Sequence, residues 1–518
     1  MDAAPVDDSL FAAIASIVGA GQVSTAPAER ALHSRDVFFG DDGPLVDAVV
    51  RPGSTSEVAA LVRLAGQRGI ALAPRGGGVS YTRGYLPVRP GTLCLDLSRM
   101  DAIHELDAGD LHVTVGPGVT WQQVDAAAAR HGLRPVLRGP ISGTHSTVCG
   151  AASQNVGPAS MAGIQSLEVV LADGRVVRTG SAALREHPAP FLRHFGPDLT
   201  GLFIGDGGAF GIKTRCTLAL EPIPAGAAFA SVAFDTLAGM TSTMVAIARS
   251  GIACRLLGMD PLKNRDATRG VGLREGLGTL AGVVKSAGTL GEGLRRAAGI
   301  AGAGKGVLDD VPWSLHVTVE GHDTTAAERA LAALRPLWSG RRELPPSVPA
   351  ALHARPYSIR GIVGLAGERW VPVHGIFPLG QAAQVVGRVE ALMAANAARL
   401  REHAIEVSYI VSVAGAGWLL EPMFYWPDAL GPLHQRVLGE KFAKFRGAAA
   451  NPAARAVVRE LRAEVTALFD ALGGVHSQLG KYYAYGARLQ PDAASFATAL
   501  KDALDPRRIL NPGNLGWD

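Results

Sequence analysis

The chain has 518 residues, 47% hydrophobic and 19% charged, with 50 Lys and Arg against 46 Asp and Glu. That composition excludes a disordered or fibrous chain, and a formal charge of +4 gives no global electrostatic case for nucleic acid. At about 150 residues per domain the length suggests roughly three domains, long enough to bury a core without disulfides.

Cys94, Cys149, Cys216 and Cys254 are widely spaced with no CxxC pair, which argues against a disulfide framework or a zinc site. The apolar stretch Leu10–Ala20 follows Asp2, Asp7 and Asp8, where a signal peptide needs positive charge, and falls short of the ~20 apolar residues that cross a bilayer. The expectation is a soluble, cytoplasmic protein whose residues 1–44 form an N-terminal helical segment.

Strand-like and helical passages then alternate to residue 222. Asp47–Arg51 reads as a strand, and Ser56–Arg68 as a helix with Val58, Leu61, Val62 and Ala65 on one face. Thr55 and Ser56 are candidate caps, and Gly69 suits the helix C-terminus. Ala71–Pro74, Leu93–Leu97 and Leu111–Val115 read as short strands, and Trp121–His131 as a helix ended by Gly132. Leu167–Leu171 and Val176–Thr179 read as a hairpin around Asp173-Gly174. Ile212–Leu220 reads as a strand stopped by Glu221-Pro222-Ile223-Pro224, a domain boundary.

Two strand-then-helix passages, near 227–250 and 313–338, suggest α+β units on an antiparallel sheet. Between them lies a Gly/Ala-rich basic insertion, 263–305, with Lys263, Arg265 and Arg269 at its start. It reads either as a solvated helical excursion or as a membrane-surface contact. The last sixty residues read as a helix (Ala453–Leu472), a Gly-rich loop, another helix and an Asn511-Pro512-Gly513 turn.

Three loops carry the chemistry. Pro74-Arg75-Gly76-Gly77-Gly78-Val79-Ser80 places three glycines after a strand, so successive N–H groups can line a concave nest that suits phosphate oxygens. No Gly-Lys-Ser/Thr follows, so it is not a Walker loop, and no Rossmann pattern is present. Gly139–Ala152 is a run of small and hydroxyl residues that can fill little of a core. Gly205-Asp206-Gly207-Gly208 again sets glycines before a strand. Three such loops within 140 residues suggest one extended ligand bearing phosphates.

The ordered motifs PRGGG, DLSRM, GPGVTWQQV, SGTHSTVCGAASQNVG, LEVVLADGRVVRTG, FIGDGGAFGIKTRCTLALEPIP and LDPRRILNPG resemble the vanillyl-alcohol oxidase/para-cresol methylhydroxylase (PCMH) superfamily over residues 45–222 and 455–518. The resemblance implies an α+β flavoprotein. Its PCMH-type FAD-binding domain would be bipartite, formed by 45–224 with a C-terminal segment, 456–518, returning to the flavin. The remainder, 225–455, would be an α+β cap domain with an antiparallel sheet. It implies that Pro74, Arg75, Gly76, Gly77, Gly78, Val79 and Ser80 bind the pyrophosphate. Pro140, Ser142, Gly143, Thr144, His145, Thr147, Val148, Gly150, Ala151, Gly157, Gly211, Ile212 and Asn511 would line the flavin. Val79 stands about where many members carry a flavin-linking His, so non-covalent FAD is expected.

Glu421–Asp428 (EPMFYWPD), Gly474-Val475-His476 and Gly480-Lys481 resemble the branch containing D-lactate, glycolate and hydroxyglutarate dehydrogenases. That branch often holds a divalent metal, but Val475 replaces its Glu and Trp370–Gly375 keeps only one His, so no metal is expected. The expected activity is FAD-dependent oxidation of a small 2-hydroxy acid. His476 is the candidate base and His374 the second choice, because imidazole titrates near neutral pH. Arg360, Arg369 and Lys481 are candidate partners for a substrate carboxylate.

Two alternatives stand. Tyr482, Tyr483 and Tyr485 could hold a para-substituted phenol, or the chain could be an electron-transfer flavoprotein peripheral to the inner membrane through 263–305. Expected partners are a small-molecule substrate and an electron acceptor (oxygen, quinone or cytochrome). A homodimer is compatible with this reading, and no nucleic acid is expected.

Overall fold

The computed structural model describes residues 7–39, 43–136, 139–186, 189–269, 310–357, 362–364, 366–445 and 447–517, with isolated positions between 291 and 308. Two compact units emerge. Unit 1 comprises residues 1–223, 431–439 and 477–518, and unit 2 comprises 224–430 and 440–476.

In unit 1 the helix Thr55–Arg68 shows why this segment folds as it does. Ser54 accepts from Glu57 N at 3.2 Å while the Glu57 carboxylate accepts from Gly53 N at 2.8 Å, so two otherwise orphaned donors at the helix start are satisfied. The cap is therefore Ser54 rather than Thr55 or Ser56. Gly69, at φ +67°, ends the helix in the left-handed region that disfavours a Cβ. The apolar face Val58, Leu61, Val62 and Ala65 packs with Leu72, Leu93 and Leu95 of the adjoining strands. Leu10, Ile14 and Val18 of helix Asp8–Val18 enter the same core, so the N-terminal helix is part of unit 1.

A four-stranded sheet runs Val23–Ser24, Ala48–Val50, Thr92–Asp96, Ala71–Arg75, the last three mutually parallel. A second, antiparallel sheet is centred on Ile212–Pro222, flanked by His112–Val115 and Ile164–Val170. Its outer strand Ile103–Asp107 is mostly exposed and polar, which is why no apolar alternation signals it. The C-terminal segment completes the parallel layer. Leu72 N donates to Ile509 O and Asn511 N to Leu72 O, each at 2.8 Å, bringing Asn511 beside the end of strand Ala71–Arg75.

Unit 2 is an antiparallel sheet in the order 343–344, 226–234, 313–321, 255–259, 406–414, 417–426, 369–372, with 375–378 also on 417–426. The helices Leu237–Ser250, Ala382–Ala395 and Pro452–Ala471 bury one face each. Helix Pro452–Ala471 belongs here, and the chain returns to unit 1 at 431–439 and again from 477. Most of the basic insertion lies outside the described residues. At its start, Lys263 Nζ donates to the Tyr425 hydroxyl and Arg265 lies 3.6 Å from Glu406. Among the described residues no helix is long and apolar enough to cross a membrane.

Asp428 anchors unit 2's far edge. It is fully buried and accepts from Trp426 Nε1, Ala429 N, Asn451 N and two Arg455 nitrogens. Despite the opposing effect of burial, these donors hold its carboxyl below the usual carboxylate range. Its stabilisation is therefore complete above the unfolded pKa of about 4 and is lost as pH falls through the lower folded value. Asp428→Asn should cost about 3 kcal/mol at neutral pH by leaving Arg455 uncompensated. Urea unfolding followed by tryptophan fluorescence should show that deficit shrinking in acid.

Candidate functional site: three glycine loops in unit 1

Strand Ala71–Arg75 runs into the first glycine loop. Among the described residues the N–H groups of Gly77, Gly78 and Val79 donate to no protein acceptor. Gly78 is buried and Gly77 and Val79 are half-buried, and three successive N–H groups without a protein acceptor suit an external acceptor. Arg75 is buried behind this turn: a Cβ on Gly78 would overlap its guanidinium, which stacks 5.2 Å from the Tyr85 ring. The Tyr85 hydroxyl donates to Gly78 O at 2.8 Å and tethers the loop from below. Arg75 thus adds fixed positive potential from behind the nest.

The second loop lies directly against the first. A Cβ on Gly77 would fall within the van der Waals radius of the His145 carbonyl oxygen, and one on Gly76 would sit 2.5 Å from Thr147 Oγ1. Only glycine tolerates that approach. Thr147 caps helix Val148–Gln154 by accepting from Gly150 N at 3.2 Å. Val148 and Ala151 are buried on that helix, and Thr144 Oγ1 is a buried hydroxyl with no partner among the described residues. Ser142 closes its turn through His145 N, Ser146 N and the Ser146 hydroxyl, and Gly143 N donates to Pro140 O. Burial and the Arg436 guanidinium push the His145 imidazole below its ordinary pKa. Gly157, at φ +65°, starts the short helical turn that follows.

The third loop is stitched to both. Asp206 accepts from Gly208 N at 2.9 Å and Phe210 N at 3.2 Å and pairs with Lys213. Gly205 N and Gly207 N donate to Ala152 O and Ser153 O of the second loop's helix. A Cβ on Gly208 would lie 2.8 Å from Pro74 Cγ, and Gly211 is packed on Val169. Ile212 is in strand and its side chain is in the hydrophobic core, so only its backbone is available to a ligand.

Asn511 locks the cluster. Its Nδ2 donates to Gly84 O at 2.8 Å and Gly207 O at 2.6 Å, and its Oδ1 accepts from Lys481 Nζ at 2.8 Å. The Asn511 amide is thus committed to holding loops together, a role its motif position does not reveal. Lys481 also donates to Leu86 O, so two of its ammonium donors are engaged inside unit 1. Gln478, which the sequence reading missed, donates from N to Gln154 O and from Nε2 to the Tyr81 hydroxyl, each at 2.8 Å.

The remaining candidates lie in unit 2 or beyond description. His476 Nδ1 lies 2.6 Å from His374 O and its Nε2 2.8 Å from Asp470 Oδ1. Arg369 is buried, 3.7 Å from Asp428 Oδ2 and stacked over Trp426 at the sheet edge. His374 Nε2 faces Glu421 Oε1 at 3.7 Å. Burial, with Arg462 and His476 adding like charge, pushes its pKa down to about 3. Arg360 lies outside the described residues. Tyr482 packs edge-on against Tyr483, and Tyr485 packs against Trp517. Among the described residues no three His, Cys, Asp or Glu side chains gather as metal ligands.

Residues 46–180 match the family described as FAD binding domain, and 448–515 match FAD linked oxidases, C-terminal domain. Relatives include the probable mitochondrial D-lactate dehydrogenase of Danio rerio, 30% identical over 245 residues, covering 46% of this chain and 47% of the relative. The mitochondrial D-lactate dehydrogenase (cytochrome) of Arabidopsis thaliana is 32% identical over 210 residues, covering 40% and 36%. The 1'-carboxy-chondrochloren decarboxylase of Chondromyces crocatus is 31% identical over 232 residues, covering 43% and 42%. The matches thus span less than half the length of these relatives. In fold the chain is similar to 4-ethylphenol oxidase from Gulosibacter chungangensis (TM-score 0.70, 20% identity) and p-cresol methylhydroxylase (TM-score 0.71, 16% identity). Each alignment covers 98% of this chain and 96% of that structure.

The residues present fit FAD. The unpaired Gly77–Val79 N–H groups suit its pyrophosphate, and the glycine-tight packing leaves backbone at the nest's surface. Gly77→Ala should lower FAD affinity at least about tenfold, or ~1.4 kcal/mol, through the clash with His145 O. Titrating the unloaded variant with FAD, with circular dichroism as the check on folding, measures this.

Proposed function

We propose that the chain is an FAD-dependent oxidoreductase that oxidises a small, D-lactate-like 2-hydroxy acid. The observation that carries the substrate class is the recurrence of D-lactate dehydrogenases among its relatives at 28–32% identity, alongside the FAD-binding loops. When bound, FAD supplies a two-electron acceptor for the hydride leaving the substrate's C2. The chain's own contribution is to bind and orient. The first-loop N–H groups hold the pyrophosphate, Arg75 supplies potential behind them, and Asn511 fixes the loops' spacing. The flavin is held non-covalently at the first loop, because the Val79 side chain has no atom able to link it. A cytochrome as final electron acceptor is favoured by the naming of the relatives from Arabidopsis thaliana and Saccharomyces cerevisiae.

Acid precipitation should release all the FAD into solution. Under anaerobic conditions D-lactate should bleach the visible flavin band and a para-alkylphenol should not. Bleaching by the phenol alone would move the assignment to the phenol-oxidising members sharing this fold, and a protein that takes up no FAD would overturn the cofactor assignment.

A further inference from the structure

Several enclosed arginines of unit 1 have protein acceptors. Arg30 Nε donates to Val46 O at 2.7 Å, Arg134 Nε to Glu221 at 2.8 Å, and Arg193 to both Asp198 and Met161 O. Arg83 does not. It is half-buried, and its guanidinium makes no hydrogen bond or ion pair among the described residues. Its Nε is buried without an acceptor. The guanidinium carbon lies over the Phe39 ring, 5.6 Å from the centroid, and Phe39 in turn packs on Tyr482. A buried donor left without an acceptor destabilises a fold, so enclosing it calls for an explanation outside stability.

The backbone presents this side chain under constraint. Arg83 stands at φ +61°, in the left-handed region that side chains other than glycine's rarely adopt. Asp36 holds it there, accepting from Arg83 N at 2.7 Å through one oxygen and from Phe38 N and Phe39 N through the other. One carboxylate thus fixes both the cation and the ring beneath it. Both chain neighbours are pinned as well. Thr82 O accepts from Lys481 N at 2.9 Å, and Gly84 O accepts from Asn511 Nδ2 and Asn514 Nδ2 at 2.8 and 2.9 Å. A Cβ on Gly84 would lie 2.5 Å from Gln154 Nε2, at the end of the second loop's helix. Arg83 therefore stands where the first loop, the second loop's helix and the C-terminal turn converge. The other cations there are placed differently: Arg75 lies behind the nest, and Lys481 has two donors engaged. Strain that the surroundings over-determine concentrates at ligand sites.

We propose that Arg83 binds the carboxylate of the substrate. This rests on the 2-hydroxy acid reading. A guanidinium offers a carboxylate two parallel N–H donors in one plane, and stacking on Phe39 leaves that edge open. Because Asp36 and the pinned neighbours already hold the segment, little ordering remains to be done when the anion arrives. Arg83 moves no proton and no hydride. Its part is selection: it favours a substrate with an anionic group next to the carbinol carbon, which a para-substituted phenol lacks.

The test uses the FAD-loaded full chain as wild type, Arg83→Met and Arg83→Lys, with circular dichroism as the check on folding. In anaerobic flavin reduction, the D-lactate concentration giving half the limiting rate should rise about 100-fold in Arg83→Met, the loss expected for a charged, paired hydrogen bond. The limiting rate should change far less, and Arg83→Lys should recover part of the affinity. Wild type should prefer D-lactate to its neutral amide, and Arg83→Met should lose most of that preference. FAD affinity, from titration of the unloaded protein, should stay within a few-fold. Unchanged D-lactate saturation in Arg83→Met overturns the proposal. So does a loss of FAD affinity with D-lactate saturation intact, which would assign Arg83 to the cofactor's phosphates. If D-lactate does not reduce wild type at all, the substrate reading fails separately, and acetate becomes the probe. Acetate should then perturb the wild-type flavin spectrum and not that of Arg83→Met. No effect in wild type, or an equal effect in both, overturns the assignment of Arg83.

Discussion

The site in unit 1 depends on how closely two backbones can approach. Gly77 lies so near the His145 carbonyl that no side chain fits between them, and Gly76 bears the same relation to Thr147. Because the loops meet through bare backbone, the first loop cannot fold back to pair its own N–H groups, and the donors of Gly77, Gly78 and Val79 stay open. Asp206 and Asn511 then fix the third loop against the other two. The parallel sheet, the helix Thr55–Arg68 and the C-terminal strand-like segment all hold this arrangement in place.

Unit 2 is organised by a different rule, in which charge is neutralised locally. Lys263, Arg369, Arg455 and His476 each find a partner within the unit, and the sheet edge gathers on Asp428.

Much of unit 1 was legible because its requirements fall on residue types. A strand followed by three glycines states a backbone demand, and Val58, Leu61, Val62 and Ala65 state a buried helix face. What stayed hidden depended on partners far along the chain. Nothing near Lys481 announces Asn511 and Leu86, and nothing near Arg369 announces Asp428. His476 reads as an imidazole in a glycine-flanked loop, and its partners Asp470 and the His374 carbonyl are not signalled by that loop.

The threading of the chain bears on its biogenesis. Asn511 closes onto Gly84 across 427 positions of sequence, and all of unit 2 is spelled out in between. During synthesis the glycine loops must therefore wait, with unit 2 free to condense first, until Asn511 has left the ribosome. Such distant closure predicts slow maturation, with flavin capture following the arrival of Asn511.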